Sequence, residues 1–200
     1  MALIFLDRQH TGKPGRKASD RGAEADLDGD GKVEVHEREA MLTPKYLLHA
    51  EERLIELGHD VITLSDGWYS ERHDRVNRYS ERVSGSKIYI AAHLNAGGGN
   101  YGALFYDSRS SSGAKLGQEI ALKMKHTCPE LEGGIKVIPA KPGAWTVHAL
   151  NTIRGVGSPV ALCFEPCFID NDTHRSMLTD EGLSRIGVAL TDGIDEWLNS

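Results

Sequence analysis

Cysteine is scarce in this chain, with three in 200 residues at Cys128, Cys163 and Cys167. So small and odd a set excludes a disulfide framework, and the three read as small buried hydrophobes in a chain long enough to build its own core. Apolar runs are short, and none approaches the ~20 residues that span a bilayer. The opening Met1-Ala2-Leu3-Ile4-Phe5-Leu6-Asp7 lacks the basic start and cleavage site of a signal peptide, so it reads as a first strand of a complete chain that is cytoplasmic at synthesis. Basic residues are outnumbered, 23 Lys and Arg against 29 Asp and Glu, for a net charge of −6. That balance argues against a nucleic-acid partner. Repeats and long linkers are missing too, which leaves a single domain over residues 1–200.

What is present is an alternation of strand and helix signals. Apolar runs suggest strands at Leu3 to Leu6, Asp60 to Ser65, Lys87 to Ala92, Gly102 to Tyr106, Lys136 to Ile138 and Pro159 to Phe164. Thr43-Pro44 reads as an N-cap and first-turn pair opening a helix that stops at Gly58. Further helices are expected over Ser70 to Val83, Ser112 to Lys125 and Asp180 to Leu198, with Thr11 to Arg21 as loop. The pattern predicts an α/β fold with a mostly parallel or mixed central sheet flanked by helices on both faces.

Much of the negative charge is packed into Asp26-Leu27-Asp28-Gly29-Asp30-Gly31-Lys32-Val33-Glu34-Val35-His36-Glu37, which fits an EF-hand-type calcium loop at all twelve positions. Asp26, Asp28 and Asp30 would supply the first, third and fifth ligands, the Lys32 carbonyl the seventh and Glu37 the twelfth, with Gly31 at the sharp turn. Without a cation the acids would repel one another. A single loop has no partner for sensor-type opening, so a structural role is expected.

Four other residues stand out. His10, His93 and Glu165 each fall where a strand runs out, and Glu39 heads a helix. Strand carboxyl ends share one edge of an open α/β sheet, and ligands gather there. Two imidazoles and a carboxylate can fill three corners of a zinc tetrahedron, with a second carboxylate left for proton transfer. His36-Glu37-Arg38-Glu39-Ala40 begins like H-E-x-x-H but ends in Ala, so that zinc motif fails. His36, Glu39 and His93 could instead imitate a zinc carboxypeptidase triad, again with Glu165 as base.

The order Ile4-Phe5-Leu6-Asp7-Arg8-Gln9-His10-Thr11-Gly12, then Glu39, then Ile88-Tyr89-Ile90-Ala91-Ala92-His93-Leu94-Asn95-Ala96, then Pro159 to Glu165, resembles the zinc-dependent N-acetylmuramoyl-L-alanine amidases of the Amidase_3 type. The likeness extends through Gly102-Ala103-Leu104-Phe105-Tyr106 and Phe168-Ile169-Asp170-Asn171. The usual Asp-Pro-Gly-His-Gly is replaced by Asp7-Arg8-Gln9-His10-Thr11, and the calcium loop is an insertion. The resemblance implies catalytic zinc on His10, a glutamate and His93, with Glu165 as catalytic base. Counting back from the helix end at Gly58 selects Glu39, and the calcium loop independently claims Glu37. It also implies a substrate, the amide between the lactyl group of N-acetylmuramic acid and L-alanine of the peptidoglycan stem.

Within that frame Trp68, Asn95, Trp145 and Arg154 are candidate contacts to glycan and stem, Asp7 is a candidate orienter of the His10 turn, and Gly97-Gly98-Gly99 reads as a mobile loop beside the site. The expected protein is a monomer with no membrane or nucleic-acid partner, acting at the wall after release as a phage or prophage endolysin. A calcium-dependent wall-binding module without catalysis is the alternative from another class.

Overall fold

The computed structural model describes residues 1–10, 22–141 and 159–200. Six strands form one mixed sheet: β1 (Leu3–Arg8), β2 (Asp60–Leu64), β3 (Lys87–Ala92), β4 (Gly102–Asp107), β5 (Ile135–Ala140) and β6 (Val160–Glu165). Their spatial order is β2-β1-β3-β6-β4-β5. The first four of these run parallel, whereas β4 pairs antiparallel to β6 and parallel to β5. Burial follows position. The central β1 and β3 are almost wholly buried and, apart from Asp7 and the terminal Arg8 and Lys87, mostly apolar on both faces, as strands covered on two sides must be. The edge strand β5 carries Pro139, tolerable where one side of the ladder is unpaired.

Among the described residues four α-helices cover the sheet: α1 (Glu39–Glu56), α2 (Tyr69–Ser80), α3 (Ser111–Thr127) and α4 (Asp180–Asn199). On one face α4 lies between α1 and α3, and Leu47, Leu54, Leu116, Ile120, Ile186 and Leu190 pack with Ile4, Leu6, Ile88, Ile90, Leu162 and Phe164 in the main core. α4 approaches its neighbours closely, since a Cβ on Gly193 would meet the Ile120 Cα at 2.5 Å and one on Gly187 the Tyr46 carbonyl at 2.5 Å. On the other face α2 lays Val76 against Phe5, Leu64, Tyr89 and Cys163. All three cysteines are buried and free. No described helix is long and apolar enough to cross a membrane.

Helix α1 departs from the sequence expectation. It starts at Glu39, a turn before Thr43, and takes Pro44 into its interior. Proline has no N–H to offer the carbonyl four residues back, so this must be offset elsewhere. Arg38 is held extended as N-cap by a bridge to Glu24, and the Glu39 N–H donates to the Ala23 carbonyl at 2.8 Å, which starts the helix early. Thr43 does not cap; its hydroxyl donates to the Glu39 carbonyl at 2.9 Å. The loop Thr11 to Arg21 lies outside the described residues.

Candidate metal and hydrolytic site

The strand order reverses around β1, since the chain goes from β1 to one neighbour, β2, and then returns to the other side with β3. A crevice forms at the carboxyl ends of strands at such a switch point. His10 follows β1 there and His93 follows β3, while Glu165 ends β6. Glu39, the first residue of α1, faces the same crevice from the helical side. The result is a cleft of about 450 Å³ lined by His10, Glu39, Tyr69, His93, Asn95, Glu165 and several smaller groups.

Three donors converge in it. His10 Nε2 lies 3.1 Å from His93 Nδ1, and Glu39 Oε1 lies 3.0 Å from His93 Nδ1 and 3.4 Å from His10 Nε2. A tetrahedron built on metal–ligand bonds of ~2.0–2.1 Å has edges of about 3.3 Å, so these atoms already mark three corners of a zinc-sized site. The donor set suits zinc chemically as well, with imidazole and carboxylate and an open fourth side. Glu39 is 2 % exposed. Its oxygens also accept from the amides of Ala23 at 2.7 Å and Leu94 at 2.8 Å. Gly22, at φ +75°, is pressed against the Glu39 carboxylate, where a side chain would collide. His93 is fixed through its backbone, its N–H donating to the Phe164 carbonyl at 2.9 Å and its carbonyl accepting from Tyr46 Oη at 3.1 Å.

The electrostatics oppose one another. Burial would raise the Glu39 carboxyl, but the His93 hydrogen bond and the charges of His93 and His10 hold it below the ordinary carboxylate value. Burial would lower His93, and Glu39 outweighs it, so the imidazole is pushed up. Glu165 is raised, chiefly by burial, with the Glu39 charge adding to the effect against His93. A carboxyl raised by burial, in a cleft beside a metal-capable triad, is placed to accept and return a proton.

Beneath the crevice, Asp7 is fully buried and accepts from Arg72 Nη1 at 2.7 Å, from Tyr89 Oη at 2.6 Å and from the Gln9 amide. Arg72 Nη1 also reaches the Arg8 carbonyl at 2.8 Å, and its Nε reaches the Asp66 and Gly67 carbonyls. Asp7 therefore supports the turn that carries His10 by anchoring Gln9 and the end of β1. Neither Tyr89 nor Arg72 was marked by the sequence, because each sits inside an ordinary strand or helix pattern.

Of the other expected residues, Asn95 lines the cleft, and Trp68 does not: it is 37 % exposed at the N-cap of α2, and its neighbour Tyr69 takes the wall of the cleft. Tyr69 stacks on His73 with ring planes 12° apart. Arg154 and Trp145 lie outside the described residues. The glycine run is better described as a clasped turn. Asp170 accepts from the amides of Gly97 at 2.7 Å and Gly98 at 3.1 Å, and Asn171 Nδ2 donates to the Gly99 carbonyl at 2.8 Å. Gly97 and Gly98 have φ of 112° and 70°, which explains the choice of residue.

His36 is exposed on a short 3₁₀ turn (Val35–Glu37) and belongs to none of the metal-capable groups among the described residues, so the carboxypeptidase-like triad is not assembled. The acidic loop closes on Glu37, which is buried and accepts from the amides of Leu27, Asp28 and Glu34 at 2.6, 3.2 and 2.8 Å. Asp26, Asp28 and Glu37 approach one another, as do Asp28, Asp30 and Glu34. Gly31 has the φ of +88° that the sixth position of such a loop requires. An extended entry and a 3₁₀ exit flank it, in place of two helices.

Sheet, crevice and donor set together define an α/β protein with a metal-capable cleft at the carboxyl edge of its sheet. The family model for N-acetylmuramoyl-L-alanine amidases matches residues 4–196, and the chain belongs to that family. Its fold is shared by solved structures of low identity. The CwlD amidase from Clostridioides difficile, solved in complex with the GerS lipoprotein, is 19 % identical over 98 % of both chains with a TM-score of 0.70. The catalytic domain of CwlV, an amidase from Bacillus (Paenibacillus) polymyxa var. colistinus, is 20 % identical over 100 % of this chain and 99 % of its own with a TM-score of 0.63. The catalytic domain of the CD27L endolysin, targeting Clostridia difficile, is 18 % identical over 96 % of both chains with a TM-score of 0.62. No curated protein sequence matches the chain.

Proposed function

We propose that the protein is a zinc-dependent N-acetylmuramoyl-L-alanine amidase that works as an endolysin on peptidoglycan. The observation that carries the reading is the convergence of His10, Glu39 and His93 at zinc-like separations in the same cleft as a carboxyl raised by burial. In this reading His10, Glu39 and His93 hold the metal. Zinc bound there supplies Lewis acidity, polarising an amide carbonyl and making a water more acidic. Glu165 takes the proton of the attacking water and returns it to the departing amine of L-alanine. Ala23 and Leu94 amides keep Glu39 turned towards the histidines. Tyr69 offers a ring to the glycan or stem at the cleft wall.

The same reading places a structural calcium on Asp26, Asp28, Asp30, the Lys32 carbonyl and Glu37. It is supported by the twelve-position match, by the backbone at Gly31, and by Glu34, whose carboxyl is raised by its hydrogen bond to Glu37 and then by burial and the charges of Asp30 and Asp28. The enzyme acts as a monomer at the wall after release from the cytoplasm. Purified protein should carry one zinc, clear suspended peptidoglycan, lose that activity in EDTA and regain it with added zinc. Clearing at the full rate by protein stripped of zinc would refute the assignment.

A further inference from the structure

We propose that Arg72 is the positioning residue for the zinc ligand His10, holding the end of β1 so that the turn beyond it presents His10 to Glu39 and His93. The inference rests on the metal reading above, in which His10 is one of three ligands. The ladder from β1 to β2 ends at Asp7, and the ladder to β3 ends at Arg8. Gln9 and His10 therefore stand past the last paired residue, where side chains must take over from the sheet. Arg72 reaches this point from α2. Its Nη1 donates to Asp7 Oδ1 at 2.7 Å and to the Arg8 carbonyl at 2.8 Å. One nitrogen thus ties down a side chain and the main chain of the strand end, two and three residues before the ligand.

The guanidinium is itself fixed. Its Nε donates to the Asp66 carbonyl at 3.2 Å and the Gly67 carbonyl at 3.1 Å, at the corner between β2 and α2. Arg72 is wholly buried, and a charge so placed is tolerated only when it is paired and hydrogen-bonded; here a carboxylate and three carbonyls answer it. A closed frame follows. Asp7 Oδ2 accepts from Tyr89 Oη at 2.6 Å and from the Gln9 amide, and Tyr89 Oη lies 3.3 Å from Nε2 of His73, the neighbour of Arg72 on α2. The strands β1 and β3 and the helix α2 are thus cross-braced beneath the His10 turn. Tyr89 and Gln9 bring neutral donors to Asp7, whereas Arg72 brings a charged one, roughly twice as strong, and reaches the main chain as well. A lysine could not repeat this, because one nitrogen cannot serve the strand end and the corner together.

The test measures the zinc dissociation constant, by competition with a chelating dye, for wild type, Arg72→Met, His10→Ala and the double variant. Arg72→Met is expected to weaken zinc binding by roughly tenfold to a hundredfold. In the His10→Ala background no ligand is left for Arg72 to position, and the same change should cost less than about twofold. Arg72→Lys keeps a cation for Asp7 and gives up the corner, so it should recover part of the loss and lie about threefold to tenfold from wild type. Wild-type zinc affinity in Arg72→Met, or an equal loss in both backgrounds, would reduce Arg72 to a prop of the fold and overturn the proposal. If Arg72→Met fails to fold, Arg72→Lys is carried through the same cycle and read by the same criteria. A wild type that binds no zinc takes down the metal reading and this inference together, whereas a zinc-binding wild type indifferent to Arg72→Met overturns the role of Arg72 alone.

Discussion

The two metal-capable centres of this chain, one of carboxylates alone and one of two imidazoles with a carboxylate, are supported in different ways. In the loop at 26–37 the carboxylates are answered by the loop's own backbone: Asp26 accepts from Gly29 and Gly31 at 2.7 and 2.8 Å, Asp28 from Asp30 at 3.1 Å and Asp30 from Lys32 at 2.9 Å. In the crevice the three donors point at one another across 3.0–3.4 Å, brought together from β1, α1 and β3, with residues 10 and 93 far apart in sequence. A local centre keeps its shape because each turn fixes the next, whereas a centre assembled by a sheet depends on the whole fold and leaves donors that a cation or proton must satisfy. The first is suited to a structural ion and the second to a reactive one. They meet at Arg38, which separates Glu37 of the loop from Glu39 of the crevice.

The contrast can be broken by substitution. Glu39→Ala or His93→Ala should remove zinc and reduce peptidoglycan clearing to background while leaving the far-ultraviolet circular dichroism intact; retained zinc by metal analysis would dissolve the triad. Glu165→Gln should keep zinc and lose about a hundredfold to ten-thousandfold in kcat. If it also lost zinc, Glu165 would be a ligand and the division between metal and base would fall. The pH profile sharpens the same point. Glu165 works as its carboxylate and burial raises its pKa, so activity should fall, as pH drops, at a value above the ~4.3 of an ordinary glutamate.

Smaller effects are expected from the loop. Calcium at about a hundred times its Kd would add about 2.7 kcal/mol to stability. That corresponds to a rise of roughly 5–10 °C in Tm for a chain of this size. Asp28→Ala should abolish the rise in Tm, with activity at 25 °C reduced less than tenfold, an estimate on the order of a surface-loop effect. A loss as large as that of Glu39→Ala would show that the loop and the crevice are one centre. Gly193→Ala, which forces a Cβ onto Ile120 where α4 crosses α3, should cost about 1–3 kcal/mol in urea unfolding and leave kcat unchanged.

The parts of this molecule that repeat a short period were legible in advance. All six strands were expected from their apolar runs, and the mixed sheet with helices on both faces follows from their alternation with helices. That Glu39 and not Glu37 stands in the crevice with His10 and His93 was also within reach, by counting back from the end of the helix at Gly58. What escaped depends on contacts between distant segments. Helix α1 begins early because Ala23 and Glu24 pair with the residues at its start, and no local propensity announces that. Among the described residues Tyr69, the first residue of α2, lines the cleft, whereas Trp68 is the extended N-cap before it and stays outside. The turn at Gly97 to Gly99 looked free because its clasp, Asp170 and Asn171, lies more than seventy residues away. Arg72, wholly buried beneath the site, was hidden beside half-buried Arg75 and exposed Arg78 on α2.

The central claim concerns the bond that is cut, and mass spectrometry of purified peptidoglycan after digestion tests it most directly. The account predicts free stem peptides beginning with L-alanine and glycan strands bearing unsubstituted lactyl groups, from zinc-loaded wild type and not from Glu165→Gln. New reducing sugar ends, or fragments cut within the stem, would contradict it.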